Sequence, residues 1–124
     1  MKEVVAIVRS NMVGATKQAL ANAGFPAFNC VPCLGRGKKM LNPELVELIM
    51  KNGELPRTAA GESMTEATRL IPKRMFSLVV NDEGVGRAVE AIIGANSHGR
   101  PGDGKIFVLP VMESYIIRLG EQGE

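Results

Sequence analysis

Seven consecutive residues, Gly99-Arg100-Pro101-Gly102-Asp103-Gly104-Lys105, hold three glycines, a proline, an aspartate and two cations. Glycine permits positive φ and close approach of a ligand to the main chain. Successive N–H groups in such a turn can converge on an anion, and Lys105 adds a charge at the rim. The pattern Gly99-x4-Gly104-Lys105 matches most of the phosphate loop of nucleotide hydrolases. Two features separate it from that loop. Ile106 stands where a magnesium-binding hydroxyl is required, and an apolar strand follows where the phosphate loop opens a helix. The turn therefore reads as a phosphate cradle rather than a hydrolase loop. A second basic glycine cluster, Gly35-Arg36-Gly37-Lys38-Lys39, together with Lys73, Lys105 and Arg118, gives enough positive charge for a polyphosphate.

Catalytic chemistry is poorly served. His98 is the sole histidine, and no pair of carboxylates is placed by spacing for acid–base work. We expect no catalytic residues. A slow ATP hydrolase at the same turn is the competing reading from the enzyme class; the missing hydroxyl and the lack of a clear base argue against it. Cys30 and Cys33 form one Cys-x-x-Cys. A zinc site wants four ligands, and His98 alone remains to help. Two reduced structural cysteines are the favoured reading, with no metal held by side chains.

The elements that must position the turn follow from periodicity. Residues 3–9 are rich in Val and Ile and predict a strand. Ser10 or Asn11 can cap a helix over about 12–23, with Val13, Thr16, Leu20 and Ala23 near one face and Gly24 as its stop. A second strand is expected from Pro26 to Leu34. The order then repeats. Arg74 to Val80 predicts a strand, and Asn81 and Asp82 are cap candidates. Val85, Ala88, Val89, Ile92 and Ile93 form a complete apolar helix face, which Gly94 and Asn96 should end. Lys105 to Leu109 is the next strand. Tyr115 to Arg118 predicts a short last strand, followed by a frayed acidic tail.

Two strand–helix–strand units predict an α+β, ferredoxin-like βαββαβ domain over 1–124. It has a four-stranded antiparallel sheet and both helices on one face. The other face carries many apolar residues, so oligomerisation is expected. Residues 36–72 form a long insertion between strands 2 and 3. Connections beyond about 15 residues are usually functional or disordered. Asn42, Pro43 and Glu44 suit a helix start and Gly53 a helix end. The residues between them, Leu45 to Met50, make a short apolar helix that needs covering by the body of the protein, a neighbouring subunit or a partner.

Composition narrows the class. The chain has 124 residues, 45% of them hydrophobic, and no Trp. Fifteen basic against thirteen acidic residues give a net charge of +2, which does not suggest bulk nucleic-acid binding. No apolar run approaches a membrane span, and the start is too short and too soon charged for a signal peptide. A cytoplasmic location is the default expectation.

With these motifs in place the sequence resembles the PII signal-transduction proteins. The likeness is most specific over Gly102 to Val108. It is supported by Met1-Lys2, Ala6 to Arg9, Gly35-x-Gly37, Ile71-Pro72-Lys73 and Ile117-Arg118-x-Gly120-Glu121. It implies a trimer with ATP or ADP in clefts between neighbours. By that likeness Gly102, Asp103, Gly104 and Lys105 wrap the phosphates. Gly35, Gly37 and Lys38 close the site, Arg118 reaches in from an adjacent subunit, and Asn29 and Val79 line the adenine end. Lys73 matches the lysine that holds 2-oxoglutarate beside the Mg2+ of bound ATP.

Departures from the family pattern are specific. Lys38 and Lys39 stand where Arg and Gln are usual, so at Lys39 a cation could pair with the 2-oxoglutarate carboxylates directly. Ile116 replaces the first of two arginines, and Ser77 replaces a frequent glutamate. The loop has no tyrosine for covalent control. Its length, and its beginning Leu34-Gly35-Arg36-Gly37-Lys38, resemble the nitrogenase-associated branch, in which two PII-like subunits act together to switch off dinitrogenase. The expected partner is therefore dinitrogenase, in a homotrimer or with a sister subunit. The alternative is a general PII protein acting on an ammonium transporter or glutamine synthetase.

Overall fold

The computed structural model describes residues 1–36 and 69–123. Two compact units divide the chain. Met1–Cys33 with Lys73–Glu124 forms one, and Leu34–Pro72 the other. The expected short helix at 42–53 lies outside the described residues.

Six strands and two α-helices are described. They are β1 (Lys2–Arg9), α1 (Val13–Asn22), β2 (Asn29–Gly35), β3 (Ile71–Val80), α2 (Val85–Asn96), β4 (Lys105–Pro110), β5 (Tyr115–Ile116) and β6 (Glu121–Gln122). The main sheet has the order β2-β3-β1-β4, with β1 antiparallel to both β3 and β4. This is the ferredoxin-like α+β fold.

Strand alternation sorts β1 into two faces. Val4, Ala6 and Val8 are buried, and they join Phe76, Leu78 and Val80 of β3, Leu20 of α1, and Ala88 and Ile92 of α2 in one core. Burying each larger aliphatic side chain contributes roughly 1.5–3 kcal/mol. Phe28 precedes β2 but packs its ring 5.3 Å from that of Phe76. The opposite face carries Glu3, Val5, Ile7 and Arg9. They are in register with Val79, Ser77, Met75 and Lys73 on one side, and the first three also with Leu109, Phe107 and Lys105 on the other. Val79, Phe107 and Leu109 remain about half exposed there.

Both helices begin differently from the expectation. Ser10 and Asn11 do not cap α1 through their side chains; they belong to a 3-10 turn, Ser10–Met12, that carries β1 into the helix. A matching 3-10 turn, Asp82–Gly84, precedes α2. There the Asn81 carbonyl accepts from the Gly84 N–H at 2.9 Å, and no side chain caps the turn. A tight turn closes the backbone bonds that a capping side chain would otherwise satisfy. The end of α1 is as expected. Gly24, at φ +91°, lets its own N–H reach the Ala21 carbonyl and that of Phe25 reach the Leu20 carbonyl, a Schellman closure.

Gly94 does not end α2, which runs through Asn96. Asn96 is buried. Its Nδ2 donates to Thr16 Oγ1 at 2.9 Å and to the Ile92 carbonyl at 3.0 Å, while Oδ1 has no partner among the described residues. The Thr16 hydroxyl in turn donates to the Met12 carbonyl. Asn96 thus ends the helix, as expected, and also ties it to α1.

The C-terminal expectation is corrected too. Arg118 is not on a strand, because β5 ends at Ile116. The N–H groups of Leu119 and Gly120 both turn back to the Ile116 carbonyl, and β6 pairs with β5. The tail after Gly120 is thus the return arm of a hairpin rather than frayed. Gly120 at φ +66° makes the reversal possible. No described helix is long and apolar enough to cross a membrane.

Candidate functional site

The glycine-rich turn connects α2 to β4. Gly99, Gly102 and Gly104 all have positive φ, at +71°, +93° and +125°. At Gly104 the requirement is absolute, since a Cβ would collide with the Ile7 carbonyl of β1. The absence of a side chain brings the turn flush against the sheet and starts β4 in register, with Lys105 opposite Ile7. A strand follows the motif, as the sequence predicts, so no helix N-terminus opens after the turn.

Three side chains shape the turn. Asp103 folds back into it: Oδ2 accepts from the N–H of His98 at 2.7 Å and of Arg100 at 3.1 Å. Those two bonds, with the Arg9 guanidinium beside Oδ1, hold its carboxyl below the ordinary carboxylate value. Arg9 also donates to the Pro101 carbonyl at 2.9 Å. Lys73, almost fully buried, donates from Nζ to the Gly102 carbonyl at 3.1 Å. Asp103 occupies the His98 and Arg100 amides but not those of Gly102 and Gly104. Lys105 lies with Nζ 5.5 Å from the Phe107 ring centre.

The structure brings together Gly102, Asp103, Gly104, Lys105 and Lys73. Asp103 is spent on bracing the turn, and an anion would meet the glycine backbone and the cations. These residues fit a phosphate-bearing ligand: the cradle admits no side chain at Gly104, and Arg9, Lys73 and Lys105 surround it with positive charge. Asn29 lies exposed at the start of β2, and Val79 is half exposed on the uncovered face of β3. Arg118 is exposed in the β5–β6 turn. Neither Asn29 nor Arg118 hydrogen-bonds the turn among the described residues. Gly35 ends β2 within the other compact unit, while Gly37, Lys38 and Lys39 lie outside the described residues.

Sequence reasoning gave Arg9 no role in the site. The signal was available in the register: once Ile7 faces Lys105, a residue two further along β1 projects on the same face beside the turn. His98 contributes its backbone N–H, as a turn residue. Cys30 and Cys33 are free thiols, each half-buried. Among the described residues no group of His, Cys, Asp and Glu could hold a metal ion.

An apolar cleft of about 480 Å³ runs beside the turn, lined by Val89, Ile92 and Ile93 of α2 and by Ile106 and Val108 of β4. Asp103, Gly104 and Lys105 share its wall.

Comparison with known proteins agrees with this geometry. Residues 1–121 match the family model described as nitrogen regulatory protein P-II. The chain is 42% identical over its full length to the nitrogen fixation nifHD1 region GlnB-like protein 2 of Methanosarcina barkeri, covering 97% of that protein. It is 43% identical to the nifHD region GlnB-like protein 2 of Methanothermococcus thermolithotrophicus, covering 96%. It is 35% identical to the nitrogen regulatory protein P-II 2 of Methanothermobacter thermautotrophicus, covering 95%. A braced glycine turn on a ferredoxin-like sheet and a family match across nearly every residue lead to one assignment: the chain belongs to the nitrogen regulatory protein P-II family.

Proposed function

We propose that this protein is a nitrogen-status sensor that binds ATP or ADP and 2-oxoglutarate and switches dinitrogenase off through residues 36–72. The observation that carries the reading is the turn at Gly102–Lys105, where a side-chain-free backbone is held against β1 by Arg9, Asp103 and Lys73. Bound Mg2+ would offset the charge of the ATP phosphates. The protein's own residues bind and orient: the Gly102 and Gly104 amides face the phosphates, Lys105 supplies charge, and Lys73 receives a carboxylate of 2-oxoglutarate. The family resemblance adds Gly35, Gly37, Lys38 and Lys39 to the residues that bind these ligands. A ligand moves the loop only through differential affinity for its states.

Relatives named for nitrogen fixation regions are more similar (42% and 43%) than the P-II 2 relative (35%). That difference favours dinitrogenase over an ammonium transporter or glutamine synthetase. The half-exposed apolar residues Val79, Phe107 and Leu109 support assembly into a trimer, of this chain alone or with a sister subunit, in the cytoplasm. PII proteins are regulators rather than enzymes, and sustained ATP turnover above a Lys105→Ala background would revive the hydrolase reading.

The test is calorimetry followed by a dinitrogenase assay. We expect 2-oxoglutarate to bind only with ATP present, and inhibition of dinitrogenase to be relieved by that combination. Equal binding of 2-oxoglutarate with and without nucleotide would sink the coupling. Co-purification with an ammonium transporter in place of dinitrogenase would sink the partner assignment.

A further inference from the structure

The glycine-rich turn is held at both of its ends. At the far end β4 holds it, through the Gly104 backbone set against the Ile7 carbonyl and the pairing of Lys105 with Ile7. At the near end it departs from α2. Asn96 is the last residue of that helix, and Ser97 closes it by donating its N–H to the Ile93 carbonyl at 2.8 Å. The next N–H, that of His98, already belongs to the turn through Asp103 Oδ2. The position of the end of α2 therefore decides where the braced turn begins.

Apolar packing does not settle that position. The cleft of about 480 Å³ separates the last turns of α2 from β4. Ile93 and Val108, on its two walls, are each about half exposed. A gap forfeits the contacts that close packing would supply, so on this side the helix end has room to shift. The directional restraint lies on the α1 side. Asn96, only 5% exposed, donates from Nδ2 to Thr16 Oγ1 at 2.9 Å, and the fully buried Thr16 donates to the Met12 carbonyl at 2.7 Å. A buried hydrogen bond fixes direction as well as distance, where apolar contacts tolerate sliding.

We propose that Thr16 and Asn96 are positioning residues for the turn assigned to the phosphates. The hydroxyl on α1 holds the end of α2, and through it the backbone from His98 onward, where the Gly102 and Gly104 amides are presented together. Both residues act through the backbone of the turn and not by touching the ligand. The inference deepens the nucleotide reading above and rests on it.

The experiment pairs calorimetric titration with ATP and protection factors of the His98 and Arg100 amides measured without ligand. Both use the full chain at a temperature where every variant is folded. Thr16→Val removes the hydroxyl at nearly constant shape, and Thr16→Ser keeps it. Val80→Ala controls for stability alone, since Val80 is buried at the end of β3 remote from Lys73. Thr16→Val should weaken ATP binding about fivefold, the scale of one neutral hydrogen bond, while Thr16→Ser stays within about twofold of wild type. Protection of the two amides should fall in Thr16→Val and hold in Thr16→Ser. Asn96→Ala should weaken ATP binding as Thr16→Val does, and combining the two should cost no more affinity than either, because they act through one bond. Val80→Ala should lose stability and leave affinity and protection unchanged. A Thr16→Val protein with wild-type affinity and protection overturns the inference. So does a Val80→Ala protein that loses as much of both as Thr16→Val, because a purely structural role predicts that pattern. Wild type that binds no ATP overturns the nucleotide reading, and the protection factors then decide by themselves whether Thr16 holds the turn.

Discussion

The ammonium of Lys73 on β3 donates to the carbonyl of Gly102 in the turn at 3.1 Å, joining residues 29 apart in sequence. The residue we assign to 2-oxoglutarate is therefore already in contact with the peptide we assign to phosphate. A lysine has three donors, so one can hold the turn while another meets a carboxylate. Lys73→Ala should reduce 2-oxoglutarate binding by at least about tenfold, the cost of losing a charged hydrogen bond, with a smaller loss for ATP alone. Lys73→Arg should not restore it, because a planar fork does not replace a point charge in a buried slot. Paired titrations with and without ATP measure both effects.

Gly104→Ala tests the close approach of the turn to the sheet. The new methyl would meet the Ile7 carbonyl at a φ of +125°. The backbone must move, at a cost of order 1–3 kcal/mol, and nucleotide binding should be lost with it. Gly99→Ala is the control. It shares positive φ but faces open space, so it should cost about 1 kcal/mol and leave binding nearly intact. Thermal melts and calorimetry separate the two.

Asp103 makes the turn sensitive to acid. Its folded pKa is lowered from 3.8, chiefly by the His98 N–H, then by that of Arg100. A lowered carboxylate pKa means that the ionised form favours the folded turn. That contribution is present above about pH 4 and is lost as pH falls through the folded value. The protection factors of the His98 and Arg100 amides should fall below that point in wild type and be low already at neutral pH in Asp103→Ala. Exchange rates in Asp103→Ala that match wild type at pH 6 would show that the carboxylate does not brace the turn.

The Thr16–Asn96 link makes a separate prediction about stability. Thr16→Val leaves one Asn96 donor with the Ile92 carbonyl as its sole partner and should cost about 1–2 kcal/mol. Adding Asn96→Ala to that variant removes the unpaired donor together with the unpaired Oδ1. The double variant should therefore be less unstable than the two single changes sum to. Denaturant unfolding of the four proteins closes the cycle.

Element types were legible because their periods were clean: alternation in β1 and the Val85 to Ile93 face of α2 each admit one reading. Boundaries were less so. Pro26 to Phe28 looked extended but precede β2, and Ile71 to Lys73 were left out of β3, since short apolar runs beside prolines do not reveal where pairing starts. The helix starts misled because a capping residue type is also a good 3-10 residue. Gly94 misled because a glycine near a helix end need not stop it; Asn96 does close α2, but its buried bond to Thr16 is not legible from a residue type that favours helix ends. For the site, the glycines were legible from composition alone. The bracing role of Arg9 was not, because it depends on the placement of β1 beside a turn nearly a hundred residues away; that of Asp103, local to the turn, was hidden because an aspartate among glycines and cations also fits a phosphate site.

β4 lies at the border of the sheet, paired on one side with β1 and free on the other among the described strands. It starts at Lys105, the last residue of the cradle. A second chain that associated along that border would touch the strand whose first residue we assign to the ligand. Assembly and ligation would then be thermodynamically linked: apparent affinity would rise with protein concentration, and dilution would release the small molecule together with the subunit.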